Sequence, residues 1–465
     1  MWFYEEGRLL GEGEQERLMR RLAEEAKEKF GGRIRKALLL PPDITRFHSG
    51  AGVLTNRLYH ILKKEGSEVD IIPTLGQHRY HTPEENEWMF GDIPEERIHK
   101  HDWKRSCASL GTIDRDFVRD ASGGLADWEI PIEINRAVTE GGYDLVVNVG
   151  QIVPHEVLGF ANHNKNYFIG LGSKRTICAS HMAAALCGIE NNLGQLVTPL
   201  RGCYNTAEKR YLGNIPAVYA LIVKSRDEDG SLGTTGLYVG SDTETYIRAA
   251  RYARRKTVFM FDKPLKKVVC FMDGKEFRST WVSNKAVYRT RKVIEDGGEL
   301  IVIAPGVERF GEQEEVDRLI RRHGYNGTPR SLGAYENDPE LNDLGHAAAH
   351  LIHGSSEGRF KITYAPGGLT REEVEGVGYS YMDIDVAMMR YNPEKLREGL
   401  NTIDGEEVYF IASPSLGLWT SKNKFKDALD NNRAFCERMI AKDPDEQLWR
   451  QIRTWNLEDV AELGL

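Results

Sequence analysis

Continuous apolar runs alternate along this chain with stretches whose apolar residues recur every three or four positions. The runs at Ala37–Leu40 and Asp144–Gly150 are rich in leucine and valine, which is typical of strands buried on both faces of a sheet. Apolar residues follow at helical spacing in Leu54–Lys64, and a charged amphipathic helix is predicted before the first strand, at Gln15–Lys29. This alternation predicts an α/β fold with largely parallel sheets flanked by helices.

The second half of the chain repeats the alternation after a break near Pro264. Strands are predicted there at Lys267–Met272, Glu299–Ala304, Phe360–Ala365 and Val408–Ala412. We expect an N-terminal cofactor-binding and catalytic domain over residues 1–264 and a C-terminal α/β domain over residues 265–425. The active site is expected in the cleft between them. Residues 426–465 are highly charged and are predicted to form a helical tail that packs back on the N-terminal domain.

Titratable and cationic side chains follow three of the predicted strands. The loop Asp43–Arg46 follows the first of them, and His78 with Arg79 follows the apolar run Val69–Pro73. His155 follows the third strand. Because ligands of α/β proteins bind beyond the carboxyl ends of the strands, we expect these side chains to share one site.

Three residues in the middle of the chain stand at a notable spacing. His155, Lys165 and His181 are ten and then sixteen residues apart. Taken singly, each has an ordinary interpretation: a histidine that caps a strand, a solvated lysine in the polar loop Asn162–Asn166, and a core histidine on a helix predicted at Arg175–Ala185. Taken together and in this order, they favour a functional site.

These motifs resemble those of the nickel-pincer-nucleotide lactate racemase family, whose members racemise or epimerise 2-hydroxy acids. The family's Asp-x-Thr-Arg loop reads Asp43–Arg46 here, and its His-Arg and Pro-His elements read His78-Arg79 and Pro154-His155. Its tether lysine falls on Lys165 and its metal-binding histidine on His181. The resemblance extends from about Lys36 to Ser413 and includes Asn284-Lys285 in the second half.

The resemblance implies a cofactor, a pyridinium mononucleotide that carries nickel and is attached covalently to Lys165. His181 would be the protein's ligand to the nickel, since imidazole and soft sulfur donors suit this metal. Asp43 and Thr45 would bind the nucleotide, and its phosphate would lie at the glycine-rich helix start Ser49–Gly52. Proteins that synthesise this cofactor are expected partners.

The chemistry of 2-hydroxy acids explains the residue types. Their C2 hydrogen is only weakly acidic, so it leaves more readily as hydride once a base has taken the hydroxyl proton. A pyridinium accepts the hydride, and its return to the opposite face inverts C2. We expect His78 and His155 to be the two bases, one on each face. Arg46 would bind the substrate carboxylate in bidentate fashion, and Lys285 would add a point charge. The alternative role of Asp43 and Thr45 is to orient Arg46.

The substrate is expected to be longer and more polar than lactate. The chain departs from the family at Phe47 and Tyr80, where proline is common, and at Asn162–Asn164, where a glycine-rich basic run is common. Hydrogen-bonding side chains are frequent around the predicted site: His48, Gln77, His81, Asn162, His163, Asn164 and Asn166. Each would cost about 1–3 kcal/mol if it were left unpaired beside the methyl group of lactate. An aldonate, the acid of a sugar, is therefore expected ahead of malate or lactate.

Composition agrees with a cytoplasmic enzyme of two domains. The 465 residues are 40% hydrophobic, which is enough for two cores. A net charge of −8 argues against nucleic acid or an anionic membrane as partner. No apolar run approaches the roughly 20 residues that span a bilayer, and the N-terminus lacks the features of a signal peptide. The six cysteines contain no Cys-x-x-Cys pair and are expected to be reduced thiols. The oligomeric state is left open.

One further cluster supports an alternative function. His346, His350 and His353 fall on one face of a predicted helix, at a spacing able to bind zinc. Ala347 stands where a metalloprotease of this pattern would have glutamate, which favours structural histidines at the domain interface or on the far wall of the cleft. The alternatives to a racemase are a zinc-dependent hydrolase or lyase that uses His346 and His350, and a non-enzymatic cofactor-binding homologue.

Overall fold

The computed structural model describes residues 1–226, 231–442, 447–463 and 465. The strands are β1 (Phe3–Glu6), β2 (Lys36–Leu40), β3 (Glu68–Ile71), β4 (Cys107–Ile113), β5 (Ile130–Asn135), β6 (Leu145–Gln151), β7 (Pro154–His155), β8 (Gly159–Phe160), β9 (Ala217–Arg226), β10 (Leu232–Gly240), β11 (Val258–Phe261), β12 (Leu265–Phe271), β13 (Ile294–Ala304), β14 (Lys361–Pro366), β15 (Ser380–Tyr381), β16 (Gly399–Ile403), β17 (Glu406–Ile411) and β18 (Leu418–Ser421).

The helices are α1 (Glu12–Lys29), α2 (Ala51–Lys64), α3 (Pro83–Phe90), α4 (Arg115–Ala121), α5 (Arg136–Glu140), α6 (Lys174–Cys187), α7 (Ile189–Asn192), α8 (Pro199–Tyr211), α9 (Thr243–Thr257), α10 (Thr280–Ser283), α11 (Lys285–Thr290), α12 (Glu314–His323), α13 (Thr328–Asn337), α14 (Pro339–Asp343), α15 (Gly345–Gly354), α16 (Arg371–Gly376), α17 (Ile384–Arg390), α18 (Lys422–Lys442) and α19 (Gln447–Glu462). In the described parts of the chain, no helix is long and apolar enough to cross a membrane.

The first sheet has the strand order β1-β10-β9-β6-β2-β3. Strands β9, β6, β2 and β3 are parallel, whereas β10 and β1 are added antiparallel at one edge. From β2 the chain passes to β3 on one side, and the next strand of this sheet, β6, lies on the other side of β2. The strand order therefore reverses between β2 and β6, and a crevice opens at their carboxyl ends, where α/β proteins bind ligands.

The parallel strands of this sheet are apolar throughout because both faces are covered. In β2, Leu38 and Leu40 belong to the core beneath α8 and α9, and Leu39 belongs to the core beneath α1 and α2. In β6, Val146 and Val147 divide between the same two cores. A strand buried on both faces has no polar side of its own.

The second sheet has the order β15-β14-β13-β12-β17-β16, and β16 at its edge is the antiparallel strand. Val268 and Cys270 of β12 face the core that α11, α12 and α15 cover, and Val269 faces a smaller core under α17. The predicted α/β class with parallel-rich sheets flanked by helices is confirmed. The four strands predicted in this half correspond to β12, β13, β14 and β17.

Two connections join the sheets. Strands β11 and β18 form a parallel pair, and α6 of the first half packs against α15 of the second. The final helices reach back to the first half, where Phe435, Met439 and Trp449 join the core of α8. The expected domain limits at residues 264 and 425 stay a prediction.

Candidate active site

An open cleft lies between the carboxyl ends of β2 and β6 and the helices α10, α11 and α15 of the second half. It encloses about 1060 Å³, open solvent at its mouth included. The side chains to which the sequence analysis gave a catalytic, substrate-binding, cofactor-binding or metal-binding role line this one cleft: Asp43, Thr45, Arg46, His78, His155, Lys165, His181 and Lys285. Their individual roles stay predictions. The expectation that Arg79 shares this site is wrong, because its exposed side chain pairs with Glu85 outside the cleft.

Asp43 organises the loop after β2. Its Oδ1 accepts hydrogen bonds from the backbone N–H of Thr45 at 3.1 Å and from the Thr45 hydroxyl at 2.6 Å. Its Oδ2 lies 2.5 Å from Nδ1 of His78. Burial alone would raise the pKa of the Asp43 carboxyl, but His78 and the hydrogen bonds from His78 and Thr45 outweigh it and hold this pKa well below its usual range.

The Asp43 contact also sets the state of the His78 ring. A carboxylate only accepts, so Nδ1 of His78 carries the proton and donates it. Nε2 of a neutral His78 then holds a lone pair. The neighbouring His81 is engaged elsewhere, because its Nε2 accepts from the backbone N–H of Ile44 and its Nδ1 donates to Asn86. His78 is the histidine of this motif that lines the cleft.

Arg46 and Lys285 form the cationic part of the cleft. Within the described residues, neither a hydrogen bond nor an ion pair engages the Arg46 guanidinium. Burial lowers the pKa of Lys285 to about 8, and the nearby charge of Arg46 adds to this effect. Arg46 and Lys285 place two positive charges close together, and the Arg46 guanidinium is available to a ligand. This arrangement favours the binding of an anion such as a carboxylate.

His155 differs from His78 in its hydrogen bonds. Nδ1 of His155 accepts from the backbone N–H of Val157 at 3.1 Å, so the neutral ring carries its proton on Nε2. Nε2 lies 3.6 Å from Oε1 of Glu156, a cleft residue that sequence reasoning did not single out. Burial holds the pKa of His155 well below its usual value, despite the Glu156 carboxylate. The two predicted bases therefore rest in different tautomers.

Lys165 follows a tightly folded segment. Asn162 and His163 adopt the left-handed backbone conformation, with φ of 65° and 58°. A Cβ atom at Gly150 of β6 would lie 1.9 Å from Nδ2 of Asn162, so a larger residue at this position would force the Asn162 side chain to move. The polar side chains of this loop are buried, namely those of Asn162, His163, Asn164 and Asn166. Burial lowers the pKa of the Lys165 amine to about 8, and Arg46 contributes in the same direction.

Arg201 of α8 holds this segment in place, although no pattern in the sequence pointed to this residue. Its buried guanidinium donates to the carbonyl of Phe160 at 2.5 Å, to Oδ1 of Asn164 at 2.5 Å and to the carbonyl of Asn162 at 3.3 Å. Asn164 in turn donates to Glu208. The loop before Lys165 is therefore anchored to the interior of the first half.

Replacing Arg201 should destabilise the protein measurably. We expect Arg201→Met to lower the free energy of unfolding by about 2–4 kcal/mol, because the acceptors in the loop lose their buried donor. Arg210→Met is the matched control on the same helix, since its half-exposed side chain only pairs with Asp114 at 3.6 Å; it should cost less than about 0.5 kcal/mol. Urea denaturation of both variants tests this, and equal midpoints would contradict the anchoring role.

His181 is prepared to act as a metal ligand. Its Nδ1 lies 2.8 Å from the carbonyl of Ile177 one turn earlier in α6, which places the proton on Nδ1 and leaves the Nε2 lone pair free. Burial lowers the pKa of His181 to about 4, so the ring is neutral. A single ligand of this kind suits a metal whose other donors belong to a cofactor.

The histidines of α15 line the far wall of the same cleft. His350 is occupied at both nitrogens, because Nδ1 contacts the Tyr288 hydroxyl at 2.7 Å and Nε2 contacts the Tyr325 hydroxyl at 2.8 Å. Nδ1 of His346 lies 3.2 Å from the Cys178 thiol. Among the described residues, no group of three or more His, Cys, Asp or Glu side chains is arranged to hold a metal. The geometry thus gives the zinc alternative no support.

Several polar residues invoked for the substrate point elsewhere. His163 packs against Tyr219 with ring centroids 4.0 Å apart, Asn164 belongs to the Arg201 anchor, and His48 lies 3.1 Å from Glu276. Of the group named from sequence, Gln77, Asn162 and Asn166 line the cleft. Local sequence does not reveal which side of a loop faces inward. The expected phosphate site at Ser49–Gly52 is also unsupported, since none of these described residues lines the cleft.

Comparison with known proteins finds similarity to lactate racemases. Residues 16–192 match the family model of the lactate racemase N-terminal domain. A protein from Thermotoga maritima has a similar structure, with a TM-score of 0.75 and 25% identity over 90% of this chain and 100% of that one. The lactate racemase apoprotein from Thermoanaerobacterium thermosaccharolyticum aligns with a TM-score of 0.60 and 17% identity, over 87% of this chain and 92% of that one. No curated protein matches the chain by sequence.

The predicted resemblance to the lactate racemase family is therefore confirmed. Residues 16–192 of the chain are similar to the lactate racemase N-terminal domain, and a lactate racemase shares the fold of the chain. These matches support a racemase or epimerase kind of function.

Proposed function

We propose that this protein is an isomerase that inverts C2 of a polar 2-hydroxy acid by reversible hydride transfer, with a nickel-pincer pyridinium nucleotide attached to Lys165. The proposed substrate is an aldonate, ahead of malate or lactate. The observation that carries the proposal is the convergence on one cleft of the half-buried Lys165, three histidines and the guanidinium of Arg46. Among the described residues, neither Nε2 of His78 nor this guanidinium has a hydrogen-bond partner.

The residues present fit such a cofactor. An amine whose pKa is about 8 is substantially neutral near physiological pH, as Lys165 must be to form a covalent bond to a nucleotide. Nε2 of His181 is free to bind nickel, and its Nδ1 contact to Ile177 fixes the ring. When bound, this cofactor supplies an acceptor for the C2 hydride. Proteins that synthesise it are proposed partners.

Arg46 and Lys285 are assigned to the substrate carboxylate. A guanidinium binds a carboxylate through two parallel hydrogen bonds and stays protonated, so it does not compete for the proton that moves. Lys285, beside it, adds charge. Holding the carboxylate fixes C2 and its hydroxyl between the two histidines.

The two histidines are assigned to the hydroxyl proton. His78 takes this proton on Nε2, and Asp43 stabilises the imidazolium that forms. On the other face His155 has the same task, but its ring must first exchange tautomers because its Nδ1 accepts from Val157. The substrate epimer that presents its hydroxyl to His78 therefore meets a ring whose neutral form already has its lone pair on Nε2, and no tautomer exchange is needed.

Metal analysis and intact mass, followed by turnover, test the function. Protein produced together with the cofactor pathway should contain nickel and an added mass on Lys165, and should invert C2 of aldonates with retention of the C2 deuterium. His181→Ala should keep the adduct but lose nickel. A loaded protein that turns over none of a panel of aldonates, malate and lactate would contradict the proposal. Zinc without an adduct would favour the hydrolase alternative.

A further inference from the structure

Two buried ring nitrogens on the far wall of the cleft have no partner. Nε2 of His346 and Nε2 of His353 form no hydrogen bond within the described residues, although these residues are only 1% and 3% exposed. A buried polar atom without a partner costs about 1–3 kcal/mol, so two of them on one wall call for a physical reason. Both residues line the cleft that holds Lys165 and His181.

Nδ1 of His346 is engaged by a neighbour outside the cleft. It lies 3.2 Å from Sγ of Cys178, whose thiol also donates to the carbonyl of Asp343 at 3.7 Å. Burial raises the pKa of this thiol to about 11, so it keeps its proton. Nε2 is therefore the nitrogen that His346 presents to the cleft, as a donor in one tautomer and an acceptor in the other. His350, which lies between His346 and His353 on α15, has no ring nitrogen available to a ligand, since two tyrosine hydroxyls contact both of its nitrogens.

We propose that His346 and His353 form a subsite for the hydroxylated tail of the substrate. This inference rests on the proposed function and names the residues that select an aldonate. The two histidines stand seven positions apart on α15, which corresponds to roughly 10 Å along the helix axis. A wall of that length is longer than the three-carbon chain of lactate and matches the chain of an acid of five or six carbons.

The chemistry of the wall favours hydroxyl groups over a second carboxylate. Helix α15 contains no lysine or arginine, and burial keeps its histidines neutral. A neutral imidazole nitrogen pairs well with a hydroxyl, which both donates and accepts. A second carboxylate, as in malate, would meet no cationic side chain on α15, and Arg291, which donates to the His353 carbonyl, is already paired with Glu190. Such a carboxylate would bear the cost of its desolvation. The free cations of the cleft, Arg46 and Lys285, are assigned to the carboxylate at C1.

Chain-length dependence tests this subsite. The wild type, His346→Leu and His353→Leu would be loaded with cofactor and assayed with lactate, glycerate, a four-carbon aldonate, arabinonate, gluconate and malate. We expect kcat/KM of the wild type to rise toward arabinonate and gluconate. Each leucine variant should lose about 10- to 100-fold on gluconate, mainly through KM, and stay within about threefold on lactate. His346→Gln restores a group that can donate or accept a hydrogen bond and should recover part of the loss.

Controls separate this inference from the proposed function. His60→Gln, a half-exposed histidine paired with Asp92, should behave as wild type. Calorimetric titration of each protein with gluconate gives a readout that needs no turnover, and the leucine variants should bind it about 10-fold more weakly or worse. If the loaded wild type is inactive on every acid yet binds gluconate through His346 and His353, the proposed function fails and the subsite stands. Equal losses on lactate and gluconate, or no gluconate binding by the wild type, would overturn the subsite.

Discussion

Lys165→Ala protein, produced together with the cofactor pathway, is expected to carry no covalently bound nucleotide. The lysine is half-buried in the cleft, and its pKa of about 8 makes its amine a better nucleophile near neutral pH than that of a solvated lysine. Loss of this one group should remove the attachment completely. Intact mass of the purified variant, compared with wild type from the same host, measures the result.

The cleft itself supplies the control for this prediction. Lys285 is a second half-buried lysine whose pKa is also lowered to about 8, and it is assigned to the substrate rather than the cofactor. Lys285→Ala should therefore keep the full adduct mass and lose substrate affinity. Reaction of the apoprotein with a small acylating reagent should label both lysines increasingly as the pH rises through about 8, whereas exposed lysines respond near 10. An adduct of normal mass on Lys165→Ala would show that the tether lies elsewhere.

Replacement of His78 is expected to have the largest effect on turnover itself. Removing a general base lowers rates by about 10²- to 10⁴-fold, and His78→Ala should lose this much in both directions, because His78 accepts the hydroxyl proton of one C2 epimer and returns a proton to it when the reaction runs the other way. Nickel content and adduct mass should stay near normal, since Lys165 and His181 are unaffected. Steady-state rates with each C2 epimer, corrected for nickel content, measure the loss.

The Asp43 contact refines the His78 prediction. Asp43→Asn removes the carboxylate that stabilises the protonated His78 ring. The turnover rate of this variant should fall at every pH where His78 must hold a proton, but by less than the rate of His78→Ala. His155→Ala should also abolish net inversion with nickel retained. A His78→Ala protein that keeps turnover within threefold of wild type would end the two-base scheme.

The fold class could be predicted from the chain because it depends on local pattern. The apolar runs at Ala37–Leu40 and Asp144–Gly150 have no polar alternation, and a strand without a polar face must be covered on both sides. Helical spacing at Leu54–Lys64 likewise reflects one face turned to the core, and this segment lies within α2. The antiparallel pairing of β1 with β10 was not predicted, since partners such as Glu6 and Gly236 are too far apart in the chain to leave a local signal. The hairpin of β9 and β10, although local, was not predicted either.

The motif residues could also be named in advance, but their hydrogen-bond states could not. Asp43, His78, His155, Lys165 and His181 stand at spacings that the family resemblance made recognisable. Which nitrogen of each ring is free depends on a neighbour brought by the fold: Asp43 for His78, and the N–H of Val157 for His155. The loop that leads to Lys165 is held by Arg201, which lies 36 residues further along the chain than Lys165.

The sequence by itself determined that this is an α/β chain with a lactate racemase-like order of acid, histidines and lysine. Both features can be recognised without the fold, because hydrophobic periodicity and motif order depend only on the order of residues along the chain. Only the tertiary structure decided which polar groups face the cleft. His163 and Asn164 turn into the protein interior, whereas His346 and His353, 180 residues away, supply the unpartnered nitrogens of the far wall. That assignment depends on the packing of α15 against α6, and the direction of a side chain within a packed interface is set by contacts between segments distant in sequence.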